Sequence, residues 1–214
     1  MKHVWYVVIA CSVILLVLSG CESKTIQLWN GKDFAGWEFV LADDEVDAGT
    51  VWSVKNGVLH CTGTPNGYMR TESDYSNYTL YLEWRWVEKE GNSGVLLHAQ
   101  GPDKVWPLCI ECQLQSGNAG DFVLIGPGAI TVDGKEYTNA ERFMVIPKKQ
   151  ESNEKPVGEW NSYTIVCKDD EISCSVNGLL QNTGMQPSLS RGKICLQSEG
   201  APIEFRNIRL ESLK

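Results

Sequence analysis

The chain has 214 residues and a formal net charge of −8 at pH 7, with 27 acidic against 19 basic side chains. This length suits one domain with a sizeable core. No basic stripe runs along the sequence, so its composition argues against a nucleic-acid partner. The scattered acidic residues are typical of a soluble surface.

Residues 1–20 have the pattern of a secretory signal. Lys2 is followed by an apolar run over residues 4–17, which is short for a stable membrane span. Residues 18–21, Leu-Ser-Gly-Cys, resemble the bacterial lipobox, after which Cys21 becomes the lipidated first residue. An uncleaved N-terminal membrane helix is the alternative. We expect a lipoprotein signal peptide (1–20), a tether (21–25) and a domain (26–214) that is exported and lipid-anchored to a bacterial membrane.

Six further cysteines fall within the predicted domain, enough for three disulfide bonds in an exported protein. Cys109 and Cys112 resemble a C-x-x-C motif, but residues three apart in an extended strand point to opposite faces. The two should therefore neither bond to each other nor share a metal ion, and no second C-x-x-C motif supports a zinc site. We expect mostly buried free thiols, with Cys167 and Cys174 the most plausible disulfide pair.

Many short strands separated by turn residues are predicted along the domain. Asn56-Gly57, Asp133-Gly134 and Asn177-Gly178 each lie between apolar segments and supply the positive φ angles of two-residue hairpin turns. The polar tract over residues 147–156 reads as a mobile loop. No helical period is sustained over about ten residues, the length that marks a helix. The fold class predicted is all-β, a two-sheet antiparallel sandwich or jelly roll.

A polar row stands out on one predicted strand, residues 109–115. The two-residue period of a strand puts Glu111, Gln113 and Gln115 on one face and apolar side chains on the other. Burying an acid between two amides is costly unless each group has a partner. We therefore expect this row to line a cleft or to meet a ligand.

Six motifs occur in order along the domain: residues 28–33 with Gly36-Trp37, residues 91–95 with His98, and residues 110–114, 158–161, 176–178 and 203–208. Together they resemble the 3-keto-disaccharide hydrolase domain family, and the resemblance covers nearly all of residues 26–213. The family implies a concanavalin-like jelly roll that acts on sugars oxidised at C3 or on related glycosides. It also implies carbohydrate as the partner.

The concave sheet of a jelly roll is the usual sugar-binding surface, and our hypothesis is that three predicted strands, 80–87, 94–100 and 109–115, lie on it. Their polar faces would then meet in one cleft. The candidate catalytic residues are Glu111, His98, Gln113 and Arg85; the candidate substrate-binding residues are Glu83, Trp106, Tyr68 and Arg206; Glu111 and His98 are the candidate ligands of a divalent cation.

Two chemistries compete for this cleft. Retaining glycosidases of this scaffold use two carboxylates on one strand, about 5–5.5 Å apart. Here the residues that follow Glu111 in the row are amides, Gln113 and Gln115, which disfavours double displacement. A 3-keto sugar offers another route, because its ketone acidifies the C2 proton and a base there drives elimination of the C1 group, followed by hydration. Glu111 or His98 is the candidate base.

Each candidate also has a structural interpretation. His98 fits a hydrogen-bonded core histidine, Glu111 fits an ion-pair partner, and Glu83 with Arg85 fits a mutual pair on one strand face. For the whole protein, the alternative to an enzyme is a non-catalytic carbohydrate-binding lipoprotein on the same fold.

Overall fold

The computed structural model describes Met1 and residues 24–214. The predicted signal peptide beyond Met1 and the lipidation site Cys21 lie outside the described residues. Within them, one 3₁₀ turn covers Ala48–Thr50, and no helix is long and apolar enough to span a membrane. The strands are β1 (Thr25–Gln27), β2 (Trp37–Leu41), β3 (Trp52–Lys55), β4 (Val58–Cys61), β5 (Gly67–Thr71), β6 (Tyr78–Trp86), β7 (Gly94–Gln100), β8 (Leu108–Gln113), β9 (Phe122–Ile125), β10 (Gly128–Val132), β11 (Lys135–Asn139), β12 (Phe143–Ile146), β13 (Asn161–Lys168), β14 (Glu171–Val176), β15 (Leu179–Met185), β16 (Lys193–Ser198) and β17 (Ile203–Ser212).

These strands form two antiparallel sheets. Sheet A has the order β11-β10-β15-β14-β13-β6-β17-β4-β3, and β1 also pairs with β17. Sheet B has the order β12-β9-β8-β7-β16-β5-β2. The predicted all-β jelly-roll architecture is therefore confirmed.

The predicted hairpin turns are present between β3 and β4, between β10 and β11, and between β14 and β15. Asn56 and Gly57 have φ angles of 54° and 81°, which match the type I′ turn expected from Asn-Gly. Asp133-Gly134 and Asn177-Gly178 repeat the same pair of positive φ angles. The local turn chemistry thus sets these three registers.

The core lies between the sheets. From β6, the face that carries Leu80, Leu82 and Trp84 is at most 2% exposed and packs against the inner face of sheet B. Across the core, Ile110 and Cys112 of β8 belong to the same apolar cluster. Burial of apolar area on this scale supplies most of the favourable free energy of folding.

Three expectations about these elements need correction. The strand predicted over residues 80–87 is β6 and belongs to sheet A, whereas β7 and β8 belong to sheet B. The strand predicted over residues 109–115 ends at Gln113, so Gln115 lies in the following turn. The tract over residues 147–156 is irregular but is held by hydrogen bonds, among them Lys149 N to Gln181 O and Asn153 Nδ2 to Val176 O.

The six cysteines of the described domain are buried, and none is disulfide-bonded. Cys109 and Cys112 point to opposite faces of β8, as expected: Cys112 lies in the core between the sheets, and Cys109 lies in a second apolar cluster on the outer face of sheet B.

Candidate functional site

The outer face of sheet B carries the predicted polar row. Because Ile110 and Cys112 point into the core, Glu111 and Gln113 point to the other side, away from sheet A. Glu111 is only 4% exposed although it lies on this outer face. The row therefore lies at the bottom of a groove.

Glycine at position 94 makes room for the Glu111 carboxyl group. Gly94 of β7 pairs with Gln113 of β8, and Leu96 pairs with Glu111. A Cβ atom placed on Gly94 would stand 2.0 Å from Glu111 Oε1, well inside contact distance. The Gly94 φ angle is one that any residue adopts, so the glycine is needed here for space.

Three more polar side chains surround the Glu111 carboxyl group. Leu96 pairs with Cys195, and Asn92 pairs with Glu199, so Gly94 lies opposite Gln197 of β16. Glu111, leaning over Gly94, is thus flanked by Gln197, with Asn92 and Glu199 one row further along. We call these four residues, Asn92, Glu111, Gln197 and Glu199, the carboxyl–amide cluster.

Oxygen atoms of this cluster lack hydrogen-bond partners. Glu111 Oε1, Gln197 Oε1 and Asn92 Oδ1 are buried without a partner among the described residues. Gln197 is only 2% exposed. Since buried polar atoms in folded proteins are nearly always paired, three oxygen atoms without a protein partner in one place require donors from outside the protein, either water or a ligand.

Burial shifts the protonation of both carboxyl groups. It raises the pKa of Glu111 well above its usual range, and the nearby Glu199 carboxylate adds to the rise. Burial also raises the pKa of Glu199, while a hydrogen bond from Asn92 and the charge of Arg142 oppose the rise. Carboxyl groups held in this way are suited to proton transfer near neutral pH.

Gln113 lies beside this cluster, and its side chain is hydrogen-bonded to the backbone. Its Oε1 accepts hydrogen bonds from Leu114 N (3.1 Å) and Gln115 N (3.2 Å), which closes the end of β8. Residues 116–121, which follow this turn, are hydrogen-bonded to the ordered tract over residues 147–156. Lys148 N donates to Asp121 Oδ1 at 2.8 Å, and Ala119 N donates to Glu154 Oε1 at 3.1 Å.

His98 does not join Glu111, contrary to the sequence prediction. A β-bulge in β7 places one extra residue between Leu97 and Gln100, which reverses the alternation of the side chains. Leu96 stays on the outer face, whereas His98 points into the core and packs edge-on against Tyr78 of sheet A, with ring centroids 5.7 Å apart. The positive φ of His98, 55°, marks the bulge.

The environment of His98 is that of a structural histidine. It is 1% exposed, and Nδ1 lies 3.0 Å from the carbonyl oxygen of Leu189, to which it donates a hydrogen bond. Burial lowers the pKa of His98, so the ring stays neutral. A cation shared by Glu111 and His98 does not fit this geometry, because the two side chains occupy opposite faces of sheet B. Among the described residues, no three His, Cys, Asp or Glu side chains group closely enough to hold a metal ion.

Glu83, Arg85 and Arg206 lie on the outer face of sheet A, on the far side of the molecule from Glu111. Glu83 accepts a hydrogen bond from Arg206 Nε at 2.5 Å, and Arg85 donates to Glu204 at the same distance. Trp160 lies between the two guanidinium groups, 4.7 Å from Arg85 and 4.0 Å from Arg206. These predicted site residues form a network of ion pairs and stacking contacts with one another. For Glu83 and Arg85, the error came from placing β6 on the same sheet as β7 and β8.

Tyr68 and Trp106 lie on the same outer face as Glu111. Tyr68 pairs with Gln197 and is 1% exposed, and it borders a cavity of about 440 Å³. Trp106 is half-buried at the opposite side of the groove, where the Arg142 guanidinium stacks on its ring at 4.2 Å and on Phe143 at 4.8 Å. An aromatic surface of this kind suits contact with the apolar face of a sugar ring.

Asn92, Gln197 and Glu199 were missed as site residues in the sequence. A signal was available for two of them, since Gln197 and Glu199 continue the alternation of the strand predicted over residues 193–197. Their pairing with β7 could not be read from the sequence, because it joins segments about one hundred residues apart.

The model of one family, described as the 3-keto-alpha-glucoside-1,2-lyase-like domain, matches residues 24–211. The chain belongs to this family. The resemblance drawn from the sequence motifs is thereby confirmed. No curated protein sequence matches the chain.

Solved structures show the same fold as this lyase-like domain. A candidate glycosyl hydrolase from Parabacteroides distasonis is 26% identical; the match covers 89% of this chain and 94% of that chain, with a TM-score of 0.63. A β-glucanase from Bacillus licheniformis is 12% identical over 90% of this chain and 98% of that chain, with a TM-score of 0.58. A carbohydrate-binding module from Bacillus subtilis is 13% identical over 83% and 96%, with a TM-score of 0.56. The lyase-like domain therefore has a glycosyl-hydrolase-like, carbohydrate-active jelly-roll fold.

Proposed function

We propose that this protein cleaves glycosides of 3-keto sugars, with Glu111 as the base that removes the C2 proton. The observation that carries the proposal is the Glu111 carboxyl group itself, buried in a groove, seated over Gly94 and left without a partner. The description of the family as lyase-like supports an elimination at C1 and C2.

The lyase-like description of the family and the residues of β8 support elimination over double displacement. Retaining glycosidases of this scaffold use two carboxylates on one strand, about 5–5.5 Å apart. On β8 the neighbour of Glu111 on this face is Gln113, an amide engaged by the backbone, and the second carboxyl group of the cluster, Glu199, follows a different strand, β16. A 3-keto sugar needs a single base at C2, and a carboxylate whose pKa is raised by burial is a stronger base than an exposed one.

The test is turnover of a 3-keto glucoside by the purified full chain in D₂O. We expect release of the aglycone, and incorporation of deuterium at C2 of the 3-keto sugar. Glu111→Gln should lower kcat by roughly 10²–10⁴-fold, the usual contribution of a general base. The matched control is Glu211→Gln, a half-buried carboxylate on sheet A whose loss should leave turnover unchanged. Turnover by Glu111→Gln at the rate of the unmodified protein would contradict the proposal.

A non-catalytic carbohydrate-binding protein is the second candidate. It is favoured by one feature, the stack of Arg142 on Trp106 and Phe143, which offers a sugar ring a platform that requires no chemistry. In that case the protein would bind glycans, Trp106→Ala would weaken binding, and every 3-keto glycoside would remain intact with no deuterium at C2.

We also propose that the protein is exported and anchored by a lipid on Cys21. The support is the lipobox-like sequence over residues 18–21. Expressed in a bacterium, the full chain should partition with the membrane fraction and carry labelled fatty acid, and Cys21→Ala should lose the label. An equal label on Cys21→Ala would contradict the anchor.

A further inference from the structure

We propose that Glu199 is the general acid of this site, which protonates the departing glycosidic oxygen while Glu111 holds the C2 proton. The inference rests on the proposed function. It adds a catalytic residue that the polar row of β8 does not contain.

Strand register brings the two carboxyl groups to one place. Glu111 leans from β8 over Gly94 of β7, and Glu199 follows the end of β16 and pairs with Asn92, two residues before Gly94. Residues two apart share a face of a strand, so Asn92 presents its side chain on the face that carries the Glu111 carboxyl group. The two acids therefore come from different strands, which is why no motif along one strand reveals them.

Two oxygen atoms near the two acids lack a protein partner among the described residues and require donors from outside the protein. Gln197 is 2% exposed, and its Oε1 has no partner. The same is true of Glu111 Oε1, at 4% exposure. Sugar hydroxyl groups are donors that would satisfy both atoms. Among residues 24–214 no Lys or Arg lies within ion-pair distance of Glu111 or Glu199, although the charge of Arg142 acts on Glu199 from further away.

Two neighbouring, poorly solvated carboxyl groups hold one proton between them more readily than none. In the free protein burial favours this proton on Glu111, the more deeply buried of the two groups. Sugar hydroxyl groups that donate to Glu111 Oε1 would favour its carboxylate form, which leaves the proton on Glu199, half-buried at the rim where the leaving group has access. With the sugar bound, Glu111 is then the base and Glu199 the acid.

The bonds and protons balance over one cycle. In elimination Glu111 takes the proton from C2, the C1–O bond breaks, a C1–C2 double bond forms, and the leaving oxygen takes the proton of Glu199. In hydration Glu199 takes a proton from the water that adds to C1, and Glu111 returns its proton to C2. The products are a free 3-keto sugar and an alcohol, and both carboxyl groups regain their starting states.

The experiment compares two leaving groups in the full chain. Methyl 3-keto-glucoside has a poor leaving group that needs an acid, whereas 4-nitrophenyl 3-keto-glucoside releases a stabilised phenolate that does not. For Glu199→Gln we expect kcat/KM to fall by about 10²-fold or more on the methyl glycoside and by less than about tenfold on the nitrophenyl glycoside. Glu111→Gln should lose both substrates alike, because the C2 proton must leave in each case.

Each outcome separates the inference from the proposed function. If the unmodified protein cleaves neither glycoside, the proposed function fails. If the unmodified protein cleaves both glycosides, the role of Glu199 is overturned by either of two results: Glu199→Gln slows both substrates by the same factor, or it slows neither substrate. The unfolding midpoint of Glu199→Gln is measured alongside, and Glu199→Asp, which keeps the acid, should retain more activity on the methyl glycoside than Glu199→Gln does.

Discussion

Two glutamates with the same burial show what a partner does for a carboxyl group. Glu111 and Glu204 are each 4% exposed. Glu204 on sheet A accepts from Arg85 at 2.5 Å and from His60 at 2.8 Å. Glu111 on sheet B has no such cation and keeps an unpaired oxygen. The first arrangement stabilises the fold, and the second costs stability in order to present a reactive group.

Replacing each glutamate by glutamine should therefore change stability in opposite directions. Glu111→Gln should raise the free energy of unfolding at neutral pH, because a carboxylate without a partner is removed. Glu204→Gln should lower it by about 1–2 kcal/mol, since Arg85 loses its counter-charge and His60 loses a hydrogen-bond acceptor, while both side chains remain partly exposed to water.

The effect of Glu111→Gln on the free energy of unfolding should also depend on pH. The folded pKa of Glu111 lies above its ordinary value of 4.5, so the folded state binds the proton more tightly than the unfolded chain. Its contribution to stability is complete below that value and is lost as pH rises through the folded pKa. Urea unfolding at neutral pH and near pH 4.5 should show the advantage of Glu111→Gln shrinking in acid. An advantage that is the same at both pH values would contradict the assignment.

At the level of elements, the bulge in β7 lets this one strand, which begins at Gly94, present functional side chains to both faces of sheet B. Before the bulge, Gly94 and Leu96 face the groove; after it, His98 faces the core and donates to Leu189. A motif that reads as one catalytic segment in the sequence thus serves two faces of the sheet. Regular alternation cannot reveal this, because a bulge depends on pairing with both neighbouring strands.

Gly94→Ala tests the seat of the Glu111 carboxyl group. The added Cβ would meet Glu111 Oε1 at 2.0 Å, so the carboxyl group must move. We expect the fold to persist and kcat on a 3-keto glucoside to fall by about 10²-fold, the cost of displacing a catalytic group by roughly 1 Å. Gly49→Ala is the control, since a Cβ there meets its nearest atom at an ordinary 3.4 Å. Full activity of Gly94→Ala would show that the position of Glu111 does not matter.

At the scale of the whole molecule, the features that the sequence could predict are those set by interactions between residues close together in the chain. The alternation of strands and the three Asn-Gly or Asp-Gly turns depend on neighbours in the chain, and they were predicted correctly, as were the faces of Glu111 and Glu83. Assignment of strands to sheets was not. β6 pairs with β13 and β17, which lie more than seventy residues away, so only the folded topology shows that Glu83 and Arg85 face away from the groove.

The pairing of β1 with β17 determines which way the groove faces. Ser212 N donates to Lys24 O, so both ends of the described domain leave from sheet A, the layer opposite the carboxyl–amide cluster. A short N-terminal tether would therefore hold the domain with sheet A facing the surface to which the tether is attached. In the proposed lipid-anchored protein, the groove would then open away from the membrane.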